Sequence, residues 1–218
     1  MSTLRLDDFK QHLDVLRARD GEKVTVRFVE PRDADELQAY YRSLSARSRY
    51  NRFFGAISEL PKSLLHSFTQ IGLDGGFTVV ATMDFDGSKT IVGEARYAFH
   101  AGSGRFEFGM SIDDRWQGHG IGSALLKNLE CRAAALGAEY LFGDTLRSND
   151  AMLSLARKSG FSFTHQPNDW KLVRFNKKIG FENLLAQCQL VGSLRPRVGE
   201  PGTSFGPIGR SVTRGRID

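Results

Sequence analysis

The segment Gln117-Gly118-His119-Gly120-Ile121-Gly122 constrains this chain more than any other stretch. Before it lies a run with strand alternation, Arg105 to Ile112. After it comes a long amphipathic run from about Gly120 to Leu136, with Ile121, Leu125, Leu129, Ala133 and Leu136 on one helical face. Glycines at such a junction let backbone N–H groups approach an anion closely. The first turn of the helix adds free donors and the positive end of its dipole. A strand, a glycine loop and a helix in that order make a phosphate site in physical terms, although the same glycines also suit a tight, closely packed turn. The third glycine of a dinucleotide-binding G-x-G-x-x-G is absent, and no Lys-Ser or Lys-Thr pair follows as in a P-loop.

The flanking sequence predicts an α/β, or α+β, single domain with a mixed central sheet and helices on its faces. Leu6 to Ala18 reads as a short amphipathic helix, with Phe9, Leu13 and Leu16 on one side, broken at Asp20-Gly21. Lys23 to Val29 alternates as a strand. Asp33 is the expected N-cap of a helix carrying Leu37, Tyr40, Tyr41 and Leu44, and a short helix follows Pro61. Phe77 to Asp84 and Thr90 to Phe99 form a hairpin through Asp86-Gly87, and a turn at Gly102 to Gly104 leads into Arg105 to Ile112. Beyond the long helix come a strand from Tyr140 to Leu146 and a helix opened by Asn149 and ended at Gly160. Phe161 to Thr164 and Trp170 to Asn176 close as a strand pair. The expected organisation is a helical extension over 1–22, the domain over 23–180 and a mobile basic tail over 181–218, the last rich in Gly, Pro and Arg.

Composition narrows the function. Of 218 residues, 40% are hydrophobic and 25% charged, which suits a folded chain with a real core. No apolar run is long enough to span a bilayer, and the charged N-terminus lacks the apolar centre of a signal peptide, so a cytoplasmic protein is expected, without membrane partners. The formal charge of +5 admits a polyanionic ligand, but no basic stripe interleaved with stacking aromatics points to nucleic acid. His66, His100, His119 and His165 have no metal-ligand spacing, so no metal is expected. Cys131 and Cys188 give no reason to expect a structural disulfide.

Gln117, Gly120 and Gly122 match the signature of the GNAT superfamily: Arg or Gln, two residues, Gly, one residue, then Gly or Ala. Asn149, Met152, Leu155, Lys158, Gly160 and Phe161 resemble its second hallmark, at the expected distance downstream. The resemblance covers about Val24 to Asn176. It is closest to the GNAT domain of bacterial protein-lysine acetyltransferases of the Pat type. That likeness rests on Arg19-Asp20-Gly21, Val26-Arg27, Pro31-Arg32-Asp33-Ala34, Leu44 to Tyr50, Arg52-Phe53-Phe54-Gly55, Ile91-Val92-Gly93 and Ala95-Arg96-Tyr97.

What this resemblance implies is acetyl transfer from acetyl-CoA to a primary amine by direct attack, with a protein lysine as first choice of acceptor. A small amine or amino acid is the alternative acceptor, and a non-catalytic acyl-CoA sensor the rival function. A monomer or homodimer is expected. By the same resemblance, backbone groups around Ser111 and Ile112 hold the pantetheine arm as an added strand. Gln117, Gly118, His119, Gly120, Ile121, Gly122 and Ser123 cradle the pyrophosphate, and Asn149 contacts the cofactor near the thioester as well as being a helix N-cap by position. Glu107 takes the place of the catalytic base, against the plainer reading of a strand carboxylate paired with Arg105 or Arg96. Ala156 stands where many relatives carry a Tyr as acid for the leaving thiolate. Tyr50, Phe53 and Phe54 are candidates for an acceptor pocket, although core packing accounts for phenylalanines equally well.

Overall fold

The computed structural model describes residues 14–70, 76–100, 104–166 and 169–179. Eight strands form one sheet in the order β1-β2-β3-β4-β5-β6-β8-β7. They are β1 (Asp14–Arg17), β2 (Lys23–Phe28), β3 (Gly76–Phe85), β4 (Ser88–His100), β5 (Arg105–Ile112), β6 (Tyr140–Leu146), β7 (Ser162–His165) and β8 (Leu172–Lys178). The helices are α1 (Ala34–Ser43), α2 (Ala46–Phe53), α3 (Lys62–Thr69), α4 (Ile121–Ala135) and α5 (Asp150–Lys158). The mixed α/β sheet expected from the sequence is therefore present.

Alternation along the strands divides the core in two. Val79 and Ala81 of β3 join Val24, Val26 and Phe28 of β2 against Ile121, Leu125 and Leu129 of α4. Val80, between them, points to the other face and packs with Ile91, Leu37, Tyr41 and Phe68 of β4, α1 and α3. The hairpin between β3 and β4 turns on Asp86 and Gly87, both at positive φ (52° and 85°), as the Asp-Gly pair requires.

The structure departs from the expectations at several points. Asp14–Arg17 is not the end of a helix but an edge strand, antiparallel to β2. Leu16 packs on the core while Val15 is half exposed, and Asp14 binds the fully buried Arg132 of α4. That ion pair and the β2 ladder outweigh the weak helical spacing; the rest of the expected helix lies outside the described residues. Helix α2 was not expected at all. It has no buried residue and hence no apolar stripe to read. Asp33 is the N-cap of α1 by position, but its carboxylate serves Arg27 (2.5 and 3.0 Å) and the Glu30 N–H (2.7 Å) rather than the helix.

Helix α4 is buried nearly all round, so its polar residues are paired: Arg132 with Asp14 and Asn128, and Glu130 with Lys177 of β8 at 2.8 Å. Burial raises the Glu130 pKa, with Lys177 opposing. Cys131 is not a free thiol, contrary to expectation, but is disulfide-bonded. The chain's other cysteine, Cys188, and the expected tail over 181–218 lie outside the described residues, as does most of the turn at 102–104. Among the described residues no helix is long and apolar enough to cross a membrane, and no three His, Cys, Asp or Glu are grouped as for a metal.

Candidate active site

The sheet opens between β5 and β6. These strands are parallel neighbours, yet they pair only through Arg105↔Tyr140, Phe106↔Leu141 and Glu107↔Phe142. β5 continues to Ile112 and stays bonded to β4 along its other edge, up to Gly93↔Ile112. From Phe108 onward, the edge of β5 that faces β6 therefore has no ladder partner. Gly143 begins the divergence. A Cβ there would stand 2.6 Å from the Phe108 carbonyl oxygen and from the Phe175 ring, so only glycine fits.

Two clefts lie in this opening. The larger, about 570 Å³, is lined by Ser111, Ile112, Gln117, Gly118, Gly120, Gly122, Ser123 and Asn149, and so brings together eight of the residues expected at a nucleotide-like ligand. The smaller, about 350 Å³, is lined by Glu107, Asp144, Phe53, Phe54, Leu64 and Phe68 among others. Asn51, Arg52, Met110, Asn149 and Met152 line both, so the clefts meet at these side chains.

The glycine loop leaves backbone donors open at the start of α4. Gly118 and Gly120 have φ of 84° and 86°, a left-handed conformation that side chains resist. Gly120 caps α4, and the first bond of the helix ladder is Ala124 N–H to the Gly120 carbonyl. The N–H groups of Ile121, Gly122 and Ser123 precede that bond and have no partner within the helix. Two members of the expected set are oriented elsewhere by their side chains. Ile121 is 1% exposed and belongs to the core. His119 turns its Nδ1 to Asp20 at 2.9 Å, an interaction that lowers the Asp20 pKa, and its ring meets Trp116 edge-on. Gln117 folds back to donate to the Ile112 carbonyl at 3.1 Å. Asn149 acts as N-cap of α5, accepting from Met152 N–H at 3.2 Å, while its amide donates to Thr145. Ala156, which has no hydroxyl to offer, is fully buried.

Several further residues line the cleft, most of them quoted above for the family resemblance but not assigned to the site. Arg19, in the turn between β1 and β2, donates its N–H to the His119 carbonyl at 2.7 Å and lines the larger cleft with Arg47 and Lys158. Helix α2 supplies Arg47, Ser48, Asn51 and Arg52. It is held to the loop by Asp114, whose carboxylate takes Ser45 N–H, Ser45 Oγ and Ser48 Oγ at 2.7–2.8 Å. Partial burial pushes the Asp114 pKa up, but these donors prevail and hold it below the usual value.

Arg52 stands over Gly109 of β5, where a Cβ would come within 2.8 Å of its Nη1. Its Nε donates to Glu94 at 2.6 Å, and Glu94 is wholly buried. The same carboxylate accepts from Ser111 Oγ at 3.0 Å, and Ser111 meets Tyr40 OH at 3.0 Å. Burial works to lower the Arg52 pKa; the facing Glu94 outweighs it, and the guanidinium stays charged. Burial, and then Glu94, push the Tyr40 hydroxyl well above its ordinary range, so it remains a neutral donor. Glu107 is half-buried and electrostatically coupled to Arg174, which forks onto Asp144 at 2.9 Å.

This arrangement has counterparts. Residues 35–161 match the family model described as Acetyltransferase (GNAT) family. The Pseudomonas aeruginosa protein named Acetyltransferase PA5475 is 29% identical over 150 residues, 69% of this chain and 81% of that protein. Among solved structures, the GNAT domain of the Streptomyces lividans enzyme PAT superposes with a TM-score of 0.70 at 22% identity, covering 80% of this chain and 99% of that one. The Salmonella typhimurium protein yncA, solved with its cofactor acetyl-CoA, gives 0.57 at 18% identity, with 72% and 94% covered. The glycine cradle, the parted strands and a family match over more than half its length together show that the chain belongs to the acetyltransferase (GNAT) family.

Proposed function

We propose that the protein transfers the acetyl group of acetyl-CoA to the side-chain amine of a protein lysine, within a ternary complex, using Glu107 as general base. One observation carries this reading: a phosphate-type cleft and a carboxylate-bearing cleft meet at the open edge of β5. The pyrophosphate suits the free N–H groups of Ile121, Gly122 and Ser123, with the glycines giving it close approach. Arg19, Arg47 and Lys158 add cationic charge along the same cleft. The pantetheine amides suit the unladdered edge of β5, pairing as an added strand would.

Acetyl-CoA supplies an activated acyl group whose thioester reaches the junction of the clefts. An acceptor lysine has an ordinary pKa of about 10.4 and cannot attack while protonated. Glu107 accepts that proton, directly or through a water, and the neutral nitrogen forms a bond to the carbonyl carbon. The carbon–sulfur bond then breaks, the electron pair leaves on sulfur, and the second proton shed by the attacking nitrogen goes to the thiolate, giving free CoA and an amide.

Thiol release from acetyl-CoA, followed against a panel of protein lysines, lysine derivatives and small amines, tests the reading. Protein-lysine acceptors are expected to give the highest kcat/KM. Preference for a small amine would replace the acceptor assignment, and thiol release with none of them would leave acyl-CoA binding without transfer.

The cradle has its own test. Gly120→Ala places a side chain at φ 86°, 3.2 Å from the Arg19 backbone nitrogen. Acetyl-CoA affinity is expected to fall about tenfold with the fold retained, since left-handed backbone costs an L-residue about 1–2 kcal/mol and the loop must shift to avoid it. Calorimetry on a variant with a native circular dichroism spectrum checks this; unchanged affinity would move the phosphates elsewhere.

A further inference from the structure

Phe54 is held in a backbone conformation that suits it badly. It ends α2 with φ 58° and ψ 21°, and its N–H bonds the Tyr50 carbonyl at 2.8 Å. Among the described residues only one other non-glycine has positive φ, Asp86, and its short polar side chain tolerates a hairpin turn. A bulky aromatic residue there is a genuine outlier. The adjacent residue is a glycine, Gly55, yet it is Phe54 that takes the left-handed position. Core packing gives no reason for the ring. Phe54 is 41% exposed and belongs to neither buried cluster, whereas its neighbour Phe53 packs on Tyr41. What the ring does is line the smaller cleft, with Leu64 and Phe68 as apolar neighbours and Glu107 and Asp144 as carboxylates in the same cavity. Strain kept at such a place is evidence of use.

We infer that Phe54 is a specificity-determining residue that packs against the aliphatic stem of the acceptor, so that the enzyme selects amines borne on an unbranched chain of several methylenes. Glu107 beside an apolar wall of Phe54, Leu64 and Phe68 matches an amine on an apolar stem, and a lysine side chain has that form; Arg52 and Arg96 line the same cavity but turn onto Glu94 and onto Ser67 and Thr78, and Asp144 is taken by Arg174. Short amines reach the base but leave the ring uncovered. This inference rests on the acetyl-transfer reading above and adds to it the residue that sorts acceptors.

The test is steady-state kinetics with acetyl-CoA and three probes: ethylamine, n-pentylamine and Nα-acetyl-lysine amide. Wild-type kcat/KM is expected to rise with chain length, by about fourfold for each methylene that the ring covers. Phe54→Asn keeps a residue that accepts the left-handed backbone but removes the ring. It is expected to lose about tenfold on pentylamine and the lysine amide and much less on ethylamine, whose chain is too short to cover the ring. Phe54→Gly, the folding control, is expected to melt no lower than wild type, because glycine relieves the strain. Equal loss on all three amines by the Asn variant, unaltered chain-length discrimination, or a lowered melting temperature in both variants would each overturn the assignment. Failure of the wild type to acetylate any amine would instead overturn the acetyl-transfer reading, and the inference with it.

Discussion

Glu107→Gln should lower kcat by about 10²–10⁴-fold while leaving acetyl-CoA affinity near that of wild type, because a general base contributes to rate by that factor and Glu107 lines the cleft opposite the glycine cradle. Glutamine keeps the shape and the hydrogen-bonding capacity of the side chain but takes no proton at neutral pH. The deficit should shrink as pH rises toward the amine pKa, about 10.4, since the acceptor then arrives already neutral. Side-by-side pH–rate profiles with single-turnover controls check this. A variant that tracks wild type across the neutral range would return Glu107 to the status of a strand carboxylate held beside Arg174.

The largest stability effect is expected one strand away, at Glu94. Its carboxylate is wholly buried and faces Arg52, whose side chain is only 12% exposed. Removing one member of a buried pair leaves the other charge without compensation and costs about 3–5 kcal/mol. Glu94→Ala should therefore lower the melting temperature by about 10 °C for a chain of this size. It should also free Ser111, and through it Tyr40, from the carboxylate that anchors them and loosen the β5 edge on which the clefts meet. The double variant Arg52→Met, Glu94→Leu removes both charges and should recover most of the loss, because an apolar replacement of a buried pair is often neutral. Thermal melts of the three proteins decide it; if Glu94→Ala melts with wild type, the pair is not a structural support.

Much of the fold was legible because burial imposes a period. β3 and β4 alternate around an Asp-Gly turn, and β6 spans Tyr140–Leu146 as the sequence suggests. α4 shows a clear apolar face in Ile121, Leu125 and Leu129, which fixes it on the sheet. Helix α2 escaped because its work is done by exposed and half-buried polar side chains: Ser45 caps it, Asp114 clasps it, and only Phe53, at its last position, packs on the core. The edge strand β1 escaped for a related reason, since its stability comes from Arg132, 118 residues away, rather than from its own pattern.

The site divides in the same way. A left-handed loop that opens a helix is a property of local backbone, so Gly118, Gly120 and Gly122 announce it in the sequence. Glu107 stood out only through resemblance to a family, because a lone strand glutamate has no local signature. Arg52 meets Glu94 across 42 residues, and Arg19 reaches the loop across a hundred. Such partners are chosen by the fold, and nothing in their immediate neighbours marks them.

In the proposed reaction an amine in the smaller cleft takes the acetyl group directly from acetyl-CoA in the larger one. Mass spectrometry of a lysine-bearing protein after incubation with acetyl-CoA carrying an isotopically labelled acetyl group tests it most directly. Labelled acetyl is expected on lysine Nζ, formed in step with free CoA, abolished without the enzyme and sharply reduced with Glu107→Gln. CoA release without label on any amine, or label retained on the enzyme as an obligatory intermediate, would contradict it.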